Sequence, residues 1–164
     1  MAILLLGKSQ CPICAEVITE RDRYYCFPAF VANAKDLLYF FNDASFHSDC
    51  LDQHELAPLA KEYGDLAIKS VNPANRLDLV SGEKITRMED HLFIGYLTSD
   101  KSEFLYQYNF THLSRKHLHA WASRLKVIEE LKKLENSGKW QEWYGLDSLG
   151  WLINELSKVP EDGH

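Results

Sequence analysis

The sequence predicts an α+β chain made of two tandem units, each a knuckle, a hairpin and a helix, followed by C-terminal helices. Three observations carry this prediction. Cys11-Pro12-Ile13-Cys14 and His47-Ser48-Asp49-Cys50 are two short pairs of metal-ligand side chains, and each pair fits on one tight turn. A shift of 67 residues lays the first stretch on a second without a gap: Ile18-Thr19 falls on Ile85-Thr86, Leu38-Tyr39 on Leu105-Tyr106, Asn42 on Asn109 and Leu51 on Leu118. Beyond the second unit, apolar residues recur at threes and fours, which is the spacing of one helix face.

The units read as residues 1–72, with the metal, and 73–119, without it, with a helical segment over 120–164 packed on both. Within each unit a turn comes first, then a strand over 23–27 or 91–97, where aromatic and aliphatic residues concentrate. A polar loop leads to a second expected strand, over 37–41 or 104–108, and a helix then starts near His47 or Ser114. Pro58 sits in the first turn of a further helix carrying Leu59, Ala60, Tyr63, Leu66 and Ala67 on one side. Asn72-Pro73 marks the joint between the units. Trp121, Leu125, Ile128, Leu131 and Leu134 predict a helix over 120–134, closed by Asn136-Ser137-Gly138. Asp147 caps a last helix over 147–158, stopped before Pro160, with Leu149, Leu152, Ile153 and Leu156 as its core face.

Cys11, Cys14, His47 and Cys50 supply three thiolates and an imidazole, the donors zinc prefers. The expectation is one structural Zn2+ with all four positions filled and no opening for a catalytic water. His54 is an alternative fourth ligand, and Cys26 reads as a small strand hydrophobe. The matching positions of the second unit are Asp78, Ser81, Ser114 and His117, which offer no thiolate. That unit is expected to be held by apolar packing of Leu77, Leu79, Val80, Ile85 and Leu113 around the vacated site.

Knuckle, hairpin and helix, with the last ligands in the helix's first turn, resembles the treble-clef zinc finger. Residues 7–56, with Cys-Pro-Ile-Cys, Phe27-Pro28-Ala29-Phe30, Leu38-Tyr39-Phe40 and Phe46-His47-Ser48-Asp49-Cys50-Leu51, look like small bacterial treble-clef proteins of unassigned activity.

The 164 residues are 46% hydrophobic and 12% aromatic, the composition of a folded domain. Ile3-Leu4-Leu5-Leu6 is too short for a secretory apolar core, so reduced thiols and a cytoplasmic location are expected, with no membrane span. A formal net charge of −6 disfavours nucleic acid and suits a basic protein partner. The expected function is non-catalytic protein binding, with an immunity protein that neutralises a bacterial toxin as the leading reading. Trp151, an aromatic off the apolar face of its helix, and the acidic residues Glu129, Glu130, Glu142, Asp147 and Glu155 are the candidate partner surface. Trp140, Trp143 and Tyr144 read as an aromatic lid between the last helices. Two alternatives remain open. One is a nuclease resembling the His-Asn-His family, with His91 as general base, Asn109, and His117 as a ligand of a divalent ion. The other is a regulatory zinc module that binds nucleic acid or a transcription component.

Overall fold

The computed structural model describes residues 3–143 and 145–158. It is a mixed α/β structure with two small antiparallel sheets. In the first half, an isolated bridge between Gln10 and Val17 closes the knuckle. Within it, Cys11 N–H donates to the Glu16 carbonyl and Ala15 N–H to the Cys11 carbonyl. Strand β1 (Tyr24–Cys26) pairs antiparallel with β2 (Ser45–His47), Tyr25 opposite Phe46. Helix α1 (Ser48–Asp52) leaves the sheet at once, and α2 (Ala57–Val71) follows with Pro58 in its first turn. Leu66, expected on the core side of α2, is exposed; Ala57, Ala60, Tyr63, Gly64, Ala67 and Ser70 are the residues that bury.

The second half repeats these details at the same offset of 67 residues. Leu77 bridges Lys84, Asp78 N–H donates to the Glu83 carbonyl, and Gly82 N–H donates to the Asp78 carbonyl. Gly82 takes the left-handed φ (74°) that Ala15 takes in the first knuckle (61°), a conformation that glycine adopts without the Cβ clash alanine meets. Strand β3 (His91–Ile94) pairs antiparallel with β4 (Thr111–Ser114), Leu92 opposite Leu113.

The expected strands over 37–41 and 104–108 are 3-10 turns, Leu37–Phe41 and Phe104–Tyr108, and the second strands lie farther on. The physical reason is local. The Asp36 carboxylate caps Leu38 N–H, and the buried residues Leu38 and Phe41, like Leu105 and Tyr108, sit three apart on one side of a turn. Next comes an asparagine whose side chain knits the loop. The Asn42 amide oxygen accepts from Phe30 and Val31 N–H at 2.7 and 2.8 Å, and that of Asn109 accepts from Leu97 and Thr98 N–H at 2.7 and 3.3 Å. Where a helix was expected after Ser114, the chain forms a 3-10 stretch, Arg115–Ala120.

Helix α3 (Arg124–Asn136) packs against α4 (Ser148–Ser157), which Asp147 caps by accepting from Gly150 N–H. The predicted stripe holds at Trp121, Ile128 and Leu131, which are buried, and at Leu134, which packs partly buried on the same core; it fails at Leu125. Val127 is buried as well, whereas Leu125 is exposed. Leu149, Leu152, Ile153 and Leu156 are all buried, as the spacing predicted. Pro160 and Tyr144 lie outside the described residues. Among the described residues, no helix is long and apolar enough to cross a membrane.

Two apolar clusters form the interior. One gathers Ile18, Phe27, Phe41, Phe46, Leu51 and Tyr63 and borrows Tyr96 from the second half. The other joins Leu92, Leu113, Leu118 and Trp121 to the inner faces of α3 and α4. Polar staples tie the loop after α3 to the first half: Asn33 donates to the Lys139 carbonyl and accepts from Gln141 N–H, and Ala34 N–H donates to the Gln141 carbonyl.

Asn42→Ala and Asn109→Ala should each destabilise the chain by about 1–3 kcal/mol, because two backbone donors lose their acceptor. Denaturant unfolding checks this, and a change well under that size at both positions would show the amides to be dispensable.

Candidate metal centre

The knuckle after Gln10 and the start of α1 converge. The ligand atoms of Cys11, Cys14, His47 and Cys50 all lie within 4.8 Å of one another, with Cys14 Sγ 3.3 Å from His47 Nδ1. Backbone geometry produces this. The left-handed Ala15 turns the knuckle back on itself, and the β1–β2 register brings His47, opposite Tyr24, to the same end of the sheet. Cys11 is fully buried and Cys14 exposed, so the group sits at the edge of the first core. These four residues could hold a metal ion, and among the described residues they form the one such group.

The surroundings prepare the donors. His47 Nε2 lies 3.6 Å from the Asp22 carboxylate, which leaves Nδ1 turned to the sulfurs. Asp22 is itself fixed by the Thr19 hydroxyl and N–H, both at 2.7 Å, and those hydrogen bonds hold its carboxyl below the ordinary value. Asp22 was not visible as a supporting residue in the sequence, although Thr19 and Asp22 have the spacing of a side-chain-capped turn. Burial pushes the Cys11 thiol up, but the N–H groups of Cys14, His47 and Ile13 outweigh it and bring it to about 7. Burial and the neighbouring Cys14 and Cys11 side chains push Cys50 up to about 11. Three crowded sulfurs cannot all ionise without a cation among them.

The two outlying candidates are placed elsewhere. The Cys26 sulfur accepts from the Ser45 hydroxyl at 3.1 Å. His54 accepts from Leu56 N–H through Nδ1 and stacks on Phe40.

The corresponding site in the second half is held by a carboxylate. Asp78, at the position of Cys11, is 2% exposed. Its Oδ1 accepts from Ser114 N–H at 2.7 Å. Its Oδ2 accepts from Ser81 N–H at 3.0 Å, the Ser81 hydroxyl at 2.8 Å and His117 Nδ1 at 2.6 Å. All four positions therefore still converge, joined by hydrogen bonds. The expectation of purely apolar packing is corrected here. Ile85 and Leu113 are buried, but Leu77 and Leu79 are exposed, and the buried anion needed the donors. The offset of 67 residues that pairs Asp78 with a core cysteine was the signal available in the sequence.

The residues of the nuclease reading have separate partners. His91 Nε2 meets His112 Nδ1 at 2.8 Å, Asn109 knits its loop through both ends of its amide, and His117 serves Asp78. Burial, and the arginines Arg76 and Arg115 near it, lower the His91 pKa.

Most of the acidic residues expected at a partner surface are engaged within the fold. Glu155 is buried and pairs with Arg115 and Lys158. Glu142 accepts from Trp140 Nε1, from the Ser148 N–H and hydroxyl, and from Leu149 N–H, so it holds the start of α4. Asp147 is the α4 cap, and Glu129 and Glu130 both pair with Lys133 on α3. Trp151 is half exposed.

No family model, no curated protein and no solved structure matches this chain.

Asp78→Ala should cost about 3 kcal/mol, since it strands buried donors, and the loss should be the same with or without a chelator. The wild-type contribution has a defined pH direction. Burial raises the Asp78 pKa, but its hydrogen bonds to Ser114, His117 and Ser81 win and depress it. The stabilisation is thus full above the unfolded carboxyl pKa, about 4, and is lost as the pH falls through the lower folded value. Urea unfolding of wild type and variant between pH 7 and pH 2 reads this: the two curves should converge on the acid side.

Proposed function

We propose that this chain is a non-catalytic protein-binding module whose first half is held by one structural zinc ion. Three sulfurs and one imidazole match the softness of zinc, and a Zn–S bond of about 2.3 Å spaces ligand sulfurs by about 3.8 Å. Donors already within 4.8 Å of one another need only a small contraction to reach that spacing. The ion would fix the knuckle to α1, and with four protein ligands it would keep no position for substrate.

The observation that carries the binding reading is a cleft of about 850 Å³ between the loop after β1, α2, the second hairpin and α4. Ile68, Val71, Trp143, Leu146 and Trp151 line it, and each is roughly half exposed or more. Contiguous exposed apolar side chains on a folded domain mark an interaction surface, and tryptophan is the commonest anchor of such surfaces. The partner surface is therefore better placed at this apolar cleft than on the carboxylates of the C-terminal third. A partner fitting it offers apolar side chains to the cleft.

The narrower reading is an immunity protein that covers a bacterial toxin domain. It is supported by the small scaffold and the net charge of −6.

Clean, reduced protein should carry one zinc per chain, and Cys50→Ser should abolish binding of the ion and melt the β1–β2 half. Metal analysis with near-ultraviolet circular dichroism reads both, and a metal-free but fully folded wild type would defeat the zinc assignment. Trp151→Ala should weaken capture of a native partner by about thirtyfold, the effect of truncating one interface anchor, with metal content and Tm unchanged. Equal capture by variant and wild type would remove the cleft from the interface. Neutralisation in turn requires that the captured partner be a toxic enzyme whose activity falls on binding.

A further inference from the structure

A second recess, of about 390 Å³, lies where α2 meets the loop and strand of the second hairpin. Tyr63 and Lys69 enter it from α2, Tyr106, Gln107 and Asn109 from the hairpin, and His112 from β4. Its size is within the range of small-molecule sites.

Two features set it apart from the apolar cleft. Tyr63 is 1% exposed, and its hydroxyl is the single buried side-chain polar atom among the described residues without a hydrogen-bond partner. The Tyr106 side chain neighbours it in the recess. A buried hydroxyl left this way loses the free energy of a hydrogen bond that a ligand could restore. Secondly, although the chain is acidic, no carboxylate lines the recess; its fixed charge is Lys69, which has no ion-pair partner among the described residues. Burial and the neighbouring Tyr106 push the Tyr63 pKa up, so the phenol keeps its proton and can donate. Burial and His91 lower that of His112, so it stays neutral at neutral pH and leaves Lys69 as the charged side chain of the recess.

We infer that this recess binds a small organic oxyanion, with Lys69 meeting the acid group, the Tyr63 hydroxyl donating a hydrogen bond, and the faces of Tyr106 and Phe110 covering an apolar body. A charge-assisted hydrogen bond from Lys69 gives the selectivity for an anion over a neutral or cationic isostere.

The full chain, loaded with metal, is titrated with benzoate, phenyl phosphate and benzylamine and followed by amide chemical shifts. Benzoate or phenyl phosphate should saturate shifts around residues 63–70 and 106–112, and the tighter of the two identifies a carboxylate or a phosphate ester. Benzylamine should not bind. Lys69→Met should weaken the anion about tenfold, the loss of one charge-assisted contact. Tyr63→Phe should weaken it severalfold while leaving the Tm equal or higher, since that variant only removes an unsatisfied group. The inference is overturned if neither anion saturates, if benzylamine binds equally, or if both variants bind like wild type.

Discussion

Each half of this chain rests on one constraint: a hairpin of three or four residues per strand cannot hold itself together in water. Something must pin the knuckle before the first strand to the turn after the second. In the first half, the four residues that could hold a metal ion, three cysteines and a histidine, stand at those positions. In the second, one buried carboxylate gathers two backbone N–H groups, a hydroxyl and a histidine. Asp78 stands where Cys11 stands in the first half, and its charge is met by oriented donors. Both solutions tie together the same backbone positions, and the loops, helices and clefts are hung from them.

Much of this was legible from spacing. The ligand pairs were readable because chelation demands particular side chains at particular intervals, and the structure brings all four together. The faces of α2 and α4 followed in large part from helical periodicity. The 37–41 and 104–108 segments were misread because aromatic-rich runs without alternation suit a strand or a turn equally. The Asp36 cap and the asparagines decide the case, and side-chain-to-backbone bonds of that kind leave no periodic trace. Leu125 was misread because it stands at the edge of the stripe, and the helix turns Val127 inward instead.

The acidic residues teach a related lesson. Glu142, Asp147 and Glu155 look like a solvated face when counted along the chain. Each instead answers a local demand, two at the start of α4 and one between Arg115 and Lys158. Charge that organises the fold is not charge available to a partner. What the surface offers instead is the apolar cleft along α2 and a smaller recess beside it that carries Lys69. The helix is thus a shared wall, with Ser70 touching both spaces.

The staples from Asn33 to the loop after α3 carry a consequence for biosynthesis. Asn33 sits in the first unit, yet the carbonyl and amide it grips belong to Lys139 and Gln141. As the polypeptide leaves the ribosome, the four donor residues are all outside the tunnel long before those two have been translated. The four residues of the candidate metal centre can therefore come together early, while the Asn33 side chain waits for Lys139 and Gln141 until the final third has emerged. Folding of the amino-terminal half then has two stages, and elongation sets the second.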